Sequence, residues 1–294
     1  MAKYLIVNAD DYGMCNAANE AVNELFLGGW LKSATIMMPC PAAADAVEFS
    51  KAHPEYAIGV HTTLTSEWGK YRWKPLTDGK TLIDEEGFMW HESDQVEKNA
   101  SYEDIEKEVR AQIDLAHSMG MKPSHIDNHM GSLYGIETGR FELLNLTLDI
   151  AGEEGLPFRF PGTFVPEMFS NDTLAVKIDL DMISMFYDKI LAYAKSKGVA
   201  MPDYLIPGEW NGPQNDSYEN FKEYIYELYR SFPNGVTETY IHPALESDEL
   251  KAISGAWHRR VWEHKLFSDP QTLQHIKACG IKLINYRDLA EMKK

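Results

Sequence analysis

Residues 3–27, KYLIVNADDYGMCNAANEAVNELFL, decide the fold class. The apolar run Tyr4–Val7 reads as a buried strand. Asn16–Leu27 reads as a helix, with Ala17, Val22, Leu25 and Phe26 at helical spacing. Between the two stand adjacent carboxylates, Asp10 and Asp11, in a segment that continues into Gly13. Neighbouring side chains on a strand point to opposite faces, so both acids can face one site only where the strand end bends. Asp11 as a helix cap is the plainer reading, but Asn16 is itself a good cap and lies closer to the helix. The pair therefore raises the expectation of a metal or acid–base site.

The same strand–helix rhythm continues along the chain. Ala34–Met38, Ala57–His61, Pro123–Asp127, Phe158–Phe160, Tyr204–Ile206, Thr237–Ile241 and Lys282–Ile284 read as strands. Ala42–Ala52, Glu137–Ala151, Leu180–Lys197, Tyr218–Ser231 and Pro270–Ala278 read as helices, and Ser101-Tyr-Glu-Asp104 has the form of a capping box opening a helix to about Met119. Residues 65–100 break the rhythm with glycines, turn pairs and aromatics, and read as an inserted loop or small hairpin. Repeated βα units imply a parallel sheet covered by helices, and about eight of them point to closure. The expectation is an α/β fold: one domain over residues 1–294, an irregular (β/α) TIM-like barrel. The competing open, doubly wound sheet loses ground as a dinucleotide binder because no G-x-G-x-x-G follows the first strand.

Composition narrows the partners. With 45 acidic against 28 basic residues the formal charge is −17, which disfavours nucleic acid and anionic membranes as partners and suits a neutral or cationic small molecule. Three widely spaced cysteines, Cys15, Cys40 and Cys279, form no CxxC and read as isolated thiols of a reducing compartment. No apolar run is long enough for a signal peptide or a membrane span, so the expected location is cytoplasmic.

In a barrel, chemistry sits at the C-terminal ends of strands. Here those ends carry Asp10 and Asp11, His61, the His125–Asp127–His129 run, Arg159, Glu209 and His242. Carboxylate plus imidazole is a common ligand set for a divalent metal, which can polarise a carbonyl and activate water. On a straight strand His125 and His129 would stand about 13 Å apart, too far to share an ion. His125 is the preferred ligand and His129 a rim residue, unless a turn after Asp127 brings His129 back. Trp68, Trp73, Trp90 and Trp210 are candidates to line the entrance to such a site or to pack the insertion. Trp257 and Trp262, beside Arg259 and Arg260, read as packing or homodimer contacts.

NADDYG at 8–13, GVHTTLT at 59–65, SHIDNHMG at 124–131, TETYIHPA at 237–244 and IKLINYRDL at 281–289 together resemble the YdjC-like family of carbohydrate deacetylases, which includes chitooligosaccharide deacetylases. More distantly, they resemble the NodB-type polysaccharide deacetylases. The resemblance implies one divalent metal, Mg²⁺ or Zn²⁺, held by Asp11, His61 and His125, with Asp10 as base and His242 as general acid. The two aspartates could exchange roles. Arg159, His129, Asp127, Glu209 and Trp210 are then expected to serve the substrate, an N-acetylated sugar that would lose acetate. Met130 and Gly131 stand where many relatives are richer in histidine. Rival readings are a glycosidase pairing Asp10 or Asp11 with Glu209, a metal-dependent hydrolase of another ester or phosphoester, and a non-catalytic sugar-binding relative.

Overall fold

The structure, a computed structural model, describes residues 2–163 and 180–294. Among these residues lie seven strands: β1 (Lys3–Tyr12), β2 (Ser33–Ile36), β3 (Ala57–Thr62), β4 (Ile126–Asn128), β5 (Tyr204–Leu205), β6 (Gly235–Ile241) and β7 (Ile281–Ile284). Around them lie α1 (Asn16–Leu27), α2 (Ala43–Ala52), α3 (Ser93–Asn99), α4 (Tyr102–Ser118), α5 (Glu142–Glu154) and α6 (Leu180–Ser196). The chain then adds α7 (Tyr218–Ser231), α8 (Asp248–Ile253), α9 (Trp257–Phe267), α10 (Pro270–Ala278) and α11 (Tyr286–Met292).

All strand pairs are parallel, in the order β4-β3-β2-β1-β6-β5, with β7 also pairing with the first half of β1. The sheet curls until its ends meet through an irregular segment. Residues 157–162 bond to β4 on one side, through Ile126 N to Pro157 O and Arg159 N to Ile126 O. On the other side Phe158 N donates to Ala200 O and Gly162 N to Pro202 O, and Asp203 N then donates to Val236 O on β6. The backbone ring is thus an irregular (β/α) barrel, as expected.

Alternation along the strands sorts the residues. Leu5, Val7 and Ala9 of β1, with Ala34 and Ile36 of β2 and Ile58 and Val60 of β3, join the helix side chains Val22, Leu25, Phe26, Ile105 and Val109 in the main core. The opposite face of β1 carries Ile6, Asn8 and Asp10. Ile6 packs with Val236, Ile284, Tyr286 and Leu289 as an apolar floor inside the barrel. Above that floor the interior is polar: Asn8, Thr35, His61, Asp127 and Glu238 are all fully or almost fully buried.

Several boundaries differ from expectation, among them β4, which starts at Ile126, and Phe158–Phe160, which forms only an isolated bridge to Ile126. Three differences have identifiable reasons. β1 does not stop at Val7 but runs to Tyr12, with a register shift between Ala9 and Tyr12 at the acidic pair. α5 begins at Glu142 rather than Glu137, because the backbone amides of Glu137 and Thr138 bond to the buried Glu97 carboxylate. The 65–100 insertion does contain a small antiparallel turn, with Ile83 opposite Met89, but it also holds α3, whose capping box pairs Glu92 with Gln95.

The insertion is anchored by Glu108 of α4, which is fully buried. Its carboxylate accepts from Leu76 N (3.0 Å), Thr77 N (2.9 Å) and Thr77 Oγ1 (2.8 Å). Glu108→Ala leaves two backbone donors unpaired and should cost about 2–4 kcal/mol. Denaturant unfolding measures that loss, and faster tryptic cleavage after Lys70 or Lys80 in native buffer reports the freed insertion.

Candidate active site

The β1 irregularity solves the problem of the paired acids. Asp11 adopts φ 59°, a left-handed conformation rare for a residue with a side chain. That turn, inside a bulge, brings Asp11 to the same side as Asp10 instead of the opposite face. Asn19 of α1 holds the following loop, accepting from Gly13 N (2.7 Å) and donating to Ala42 O (2.9 Å).

The two carboxylates have different neighbours. Asp10 receives both Arg159 Nη1 (2.6 Å, to Oδ2) and Nη2 (2.7 Å, to Oδ1), and Asn8 Nδ2 donates to Oδ1 at 2.9 Å. Asp11 Oδ2 accepts from Arg260 Nη2 (2.7 Å), while its Oδ1 has no hydrogen-bond partner among the described residues. Burial works against the Asp11 charge, but Arg260, His242 and His129 hold its carboxyl well below the usual carboxylate range.

Around Asp11 Oδ1 stand two imidazoles. His61 Nε2, also buried without a hydrogen-bond partner among the described residues, is 3.6 Å away, and His129 Nδ1 is 3.3 Å away. Each ring is backed by a carboxylate on its other nitrogen: Asp127 Oδ1 lies 2.6 Å from His61 Nδ1, and Glu67 Oε2 lies 3.0 Å from His129 Nε2. Such backing fixes the tautomer that offers the remaining nitrogen as a lone pair. For His129 burial opposes the charged ring, yet Glu67 and Asp11 push its pKa up to about 10, so a cation bound there would take the place of the Nδ1 proton. A buried oxygen and nitrogen without partners, converging with a second imidazole, fit a divalent cation with one carboxylate and two imidazole ligands. Asp10, His61 and Asp127 also lie close enough to group, but Arg159 already neutralises both aspartates there.

The arrangement corrects several expected roles. His129 reaches the cluster because the chain turns sharply after β4, with Met130 at φ 52°. His125 does not join it. That ring lies lower in the barrel, with Nε2 3.1 Å from Asn8 Oδ1, Nδ1 2.9 Å from Ser124 Oγ, and its face stacked on Tyr286 at 3.8 Å. Asp127 is fully buried behind His61, bonded to Thr35 Oγ1 (2.9 Å) and Arg159, and offers nothing to a substrate. Glu209 is not part of the cavity wall, so the glycosidase pair with Asp10 or Asp11 is not assembled.

That wall encloses a cavity of about 600 Å³ above the cluster, lined among others by Asp10, Asp11, His61, His129, Arg159 and His242. Trp68 and Trp210 line it, as expected of residues at the entrance. Trp73 is instead buried, its indole N–H on Thr65 O (2.8 Å), and Trp90 donates to Thr81 O (2.9 Å), so these two pack the insertion. His242 sits half-buried between Trp210 (5.1 Å) and Tyr240 (5.6 Å); burial lowers its pKa, against the pull of the Asp11 carboxylate.

Glu67 and Arg260 were not anticipated. Glu67 comes from the insertion, and Arg260 from α9, a stretch whose tryptophans read as packing or homodimer contacts. Asn8, Thr35 and Glu238 were also passed over, although Asn8 and Glu238 share strand parity with Asp10 and His242 respectively, a signal the sequence does carry.

Fold and site define a class: a (β/α) barrel with a buried Asp–His–His centre beside an arginine-held carboxylate. The profile of the YdjC-like protein family matches residues 4–278, and the chain belongs to that family. It is 28% identical over 287 residues to a carbohydrate deacetylase of Thermoanaerobacter pseudethanolicus, covering 97% of this chain and 98% of that one. It is 27% identical over 304 residues to a chitooligosaccharide deacetylase of Yersinia enterocolitica, covering 98% and 100%. Among solved structures, an Enterococcus faecalis V583 protein assigned to cellobiose-phosphate cleavage superposes with a TM-score of 0.74 at 26% identity, over 98% of this chain and 99% of that one.

The neutral state of His125 has a measurable consequence. Burial pushes its pKa down to about 3, whereas an unfolded histidine titrates near 6.5. Between those values the unfolded chain binds a proton that the native chain does not, so this residue's contribution to stability is lost as pH falls. In metal-free protein, urea unfolding from about pH 6.5 to about pH 5 should show a decline that His125→Phe reduces by up to about 1.4 kcal/mol per pH unit.

Proposed function

We propose that the protein is a metal-dependent hydrolase that removes the N-acetyl group from an N-acetylated sugar of chitooligosaccharide type, releasing acetate. The observation that carries this reading is the convergence of Asp11 Oδ1, His61 Nε2 and His129 Nδ1 next to an Asp10 carboxylate fixed by Arg159. The names of the full-length relatives, carbohydrate and chitooligosaccharide deacetylases, support the substrate class. A cavity of about 600 Å³ flanked by Trp68 and Trp210 suits a small saccharide.

Asp11, His61 and His129 would hold one divalent ion. When bound, that ion supplies Lewis-acid polarisation of the amide carbonyl and acidifies water. Asp10 takes the proton of the attacking water, its carboxylate oriented by Arg159 and Asn8. His242 is the candidate to protonate the departing amine, which cannot leave as an anion. Burial favours its neutral ring, so this role depends on Asp11 and Asp10, whose carboxylates favour the charged one. Trp68 and Trp210 would hold the sugar ring by its apolar faces. Phosphoester hydrolysis has weaker support, because Arg159 is bound to three carboxylates and only Arg260, with Nη2 on Asp11 and with Nε and Nη1 unpartnered among the described residues, offers the cavity free guanidinium donors.

The buried Cys15 and Cys40 thiols are unpaired, which supports a cytoplasmic setting. No helix among the described residues is long and apolar enough to cross a membrane.

The test is acetate release from diacetylchitobiose before chelation, after it, and with Zn²⁺ or Mg²⁺ restored. Activity should vanish with chelation and return with the ion. Release of phosphate or a cleaved glycoside instead, with no acetate from any N-acetylated sugar, would sink the reading. Asp10→Asn should lower kcat by about 10²–10⁴-fold with metal content unchanged. His129→Ala should lose the ion itself, read by elemental analysis of the purified protein.

A further inference from the structure

We infer that His125 is a positioning residue that aims the Asp10 carboxylate through Asn8, a role resting on the reading of Asp10 as base. The hydrogen bonds define its direction. Asn8 Nδ2 lies 2.9 Å from Asp10 Oδ1 and 2.9 Å from Thr35 Oγ1, and Thr35 Oγ1 in turn gives its own proton to Asp127 Oδ2 at 2.9 Å. Both amide protons of Asn8 are thereby spent upward, toward the site. Its Oδ1, pointing down, can only accept, so the partner there, His125 Nε2 at 3.1 Å, must be the donor. His125 Nδ1 is then the lone pair that accepts from Ser124 Oγ at 2.9 Å. A single neutral tautomer, Nε2–H, satisfies every group in the chain Ser124–His125–Asn8–Asp10.

The ring itself is held in place. It stacks on Tyr286 with the planes 9° apart, and β3 approaches so closely that a Cβ on Gly59 would lie 2.4 Å from His125 O and 2.7 Å from Nδ1. Tyr286 carries a second line to the same carboxylate: its hydroxyl donates to Glu238 Oε2, and Glu238 Oε1 accepts from Arg159 Nε (2.8 Å), whose fork grips Asp10. One stacked pair on the barrel floor thus steers Asp10 from two sides. Without the histidine donor the Asn8 amide can turn over, presenting an oxygen to a carboxylate it now hydrogen-bonds.

Three measurements test this, and two do not depend on the reaction. In ¹⁵N-edited NMR of the wild-type protein, the His125 ring should be the Nε2–H tautomer across about pH 5–8 and should not shift on adding Zn²⁺. The Nδ1–H tautomer, an imidazolium, or a zinc-dependent shift of its nitrogens would overturn the proposal. Metal content of His125→Phe, which keeps an aromatic face for Tyr286, should equal that of wild type; loss of the ion would make His125 a ligand and overturn it. In acetate release, Asn8→Ala and His125→Phe should each lower kcat by about 10–100-fold with KM little changed, and the double variant should lose no more than either alone. Multiplicative losses would overturn the coupling, and His125→Gln, which restores a donor, should recover part of the rate. If His125→Phe fails to fold, the wild-type tautomer decides. If the wild type releases no acetate, the functional reading fails while the NMR and metal results still judge His125.

Discussion

The barrel depends on one cation. Arg159 is almost completely buried and touches three buried carboxylates: Asp10 through Nη1 and Nη2, Asp127 through Nη2 at 2.8 Å, and Glu238 through Nε at 2.8 Å. Only a planar guanidinium, always charged and with its donors in a fixed fork, can serve three acceptors from different strands at once. Removing it would leave acids uncompensated in the interior, a loss on the order of 3–5 kcal/mol for a single broken buried pair. Glu238 bears part of the residual strain in charge: burial pushes its pKa up to about 7 despite Arg159. Arg159 also lies on the irregular segment that joins β4 to the 200–205 side of the ring, where its backbone N–H bonds to Ile126 O. Closing the ring and neutralising its interior are accomplished by the same residue.

From that cation the division of labour follows. Arg159 and Asn8 between them hold Asp10 as a fixed, oriented carboxylate. Arg260 takes only one oxygen of Asp11, leaving the other facing His61 and His129. Asp127 is shared between Arg159 and His61, so the first network sets the orientation of the second. The insertion then completes the cluster from outside the barrel, with Glu67 behind His129 and Trp68 on the cavity wall.

Much of this was legible in the sequence, and the misses have physical causes. Strand–helix alternation, polar strand ends and the insertion could be read because period and turn chemistry are local properties. The placement of Asp10, Asp11, His61 and His242 around one cavity followed from the rule that barrel strands end on a common face. That His129 rather than His125 reaches Asp11 and His61 was legible only as the alternative of a turn after Asp127, because it hangs on a left-handed Met130 that neither composition nor spacing announces. Arg260 was out of reach for another reason. It lies 249 positions from Asp11, on a helix whose pattern of Trp and Arg is equally that of a packed surface. Glu209 misled because proximity to a strand end in sequence does not say which way the following loop turns.

The polar interior also bears on how the chain can be made. The four members of the Arg159 cluster come from β1, β4, the joining segment and β6, so Asp10 must wait 149 positions for its counter-ion and Arg159 another 79 for Glu238. Pairings of such span are slow to form, and domains growing from a ribosome order what has already emerged. During synthesis, then, the first half of this protein can build its outer apolar layer of strands and helices, but its centre stays wet. Water leaves the barrel axis only after β6 has emerged, with Tyr286 following to cover Glu238. A nascent chain halted before that point carries its outer apolar layer around interior acids whose set of partners is still incomplete.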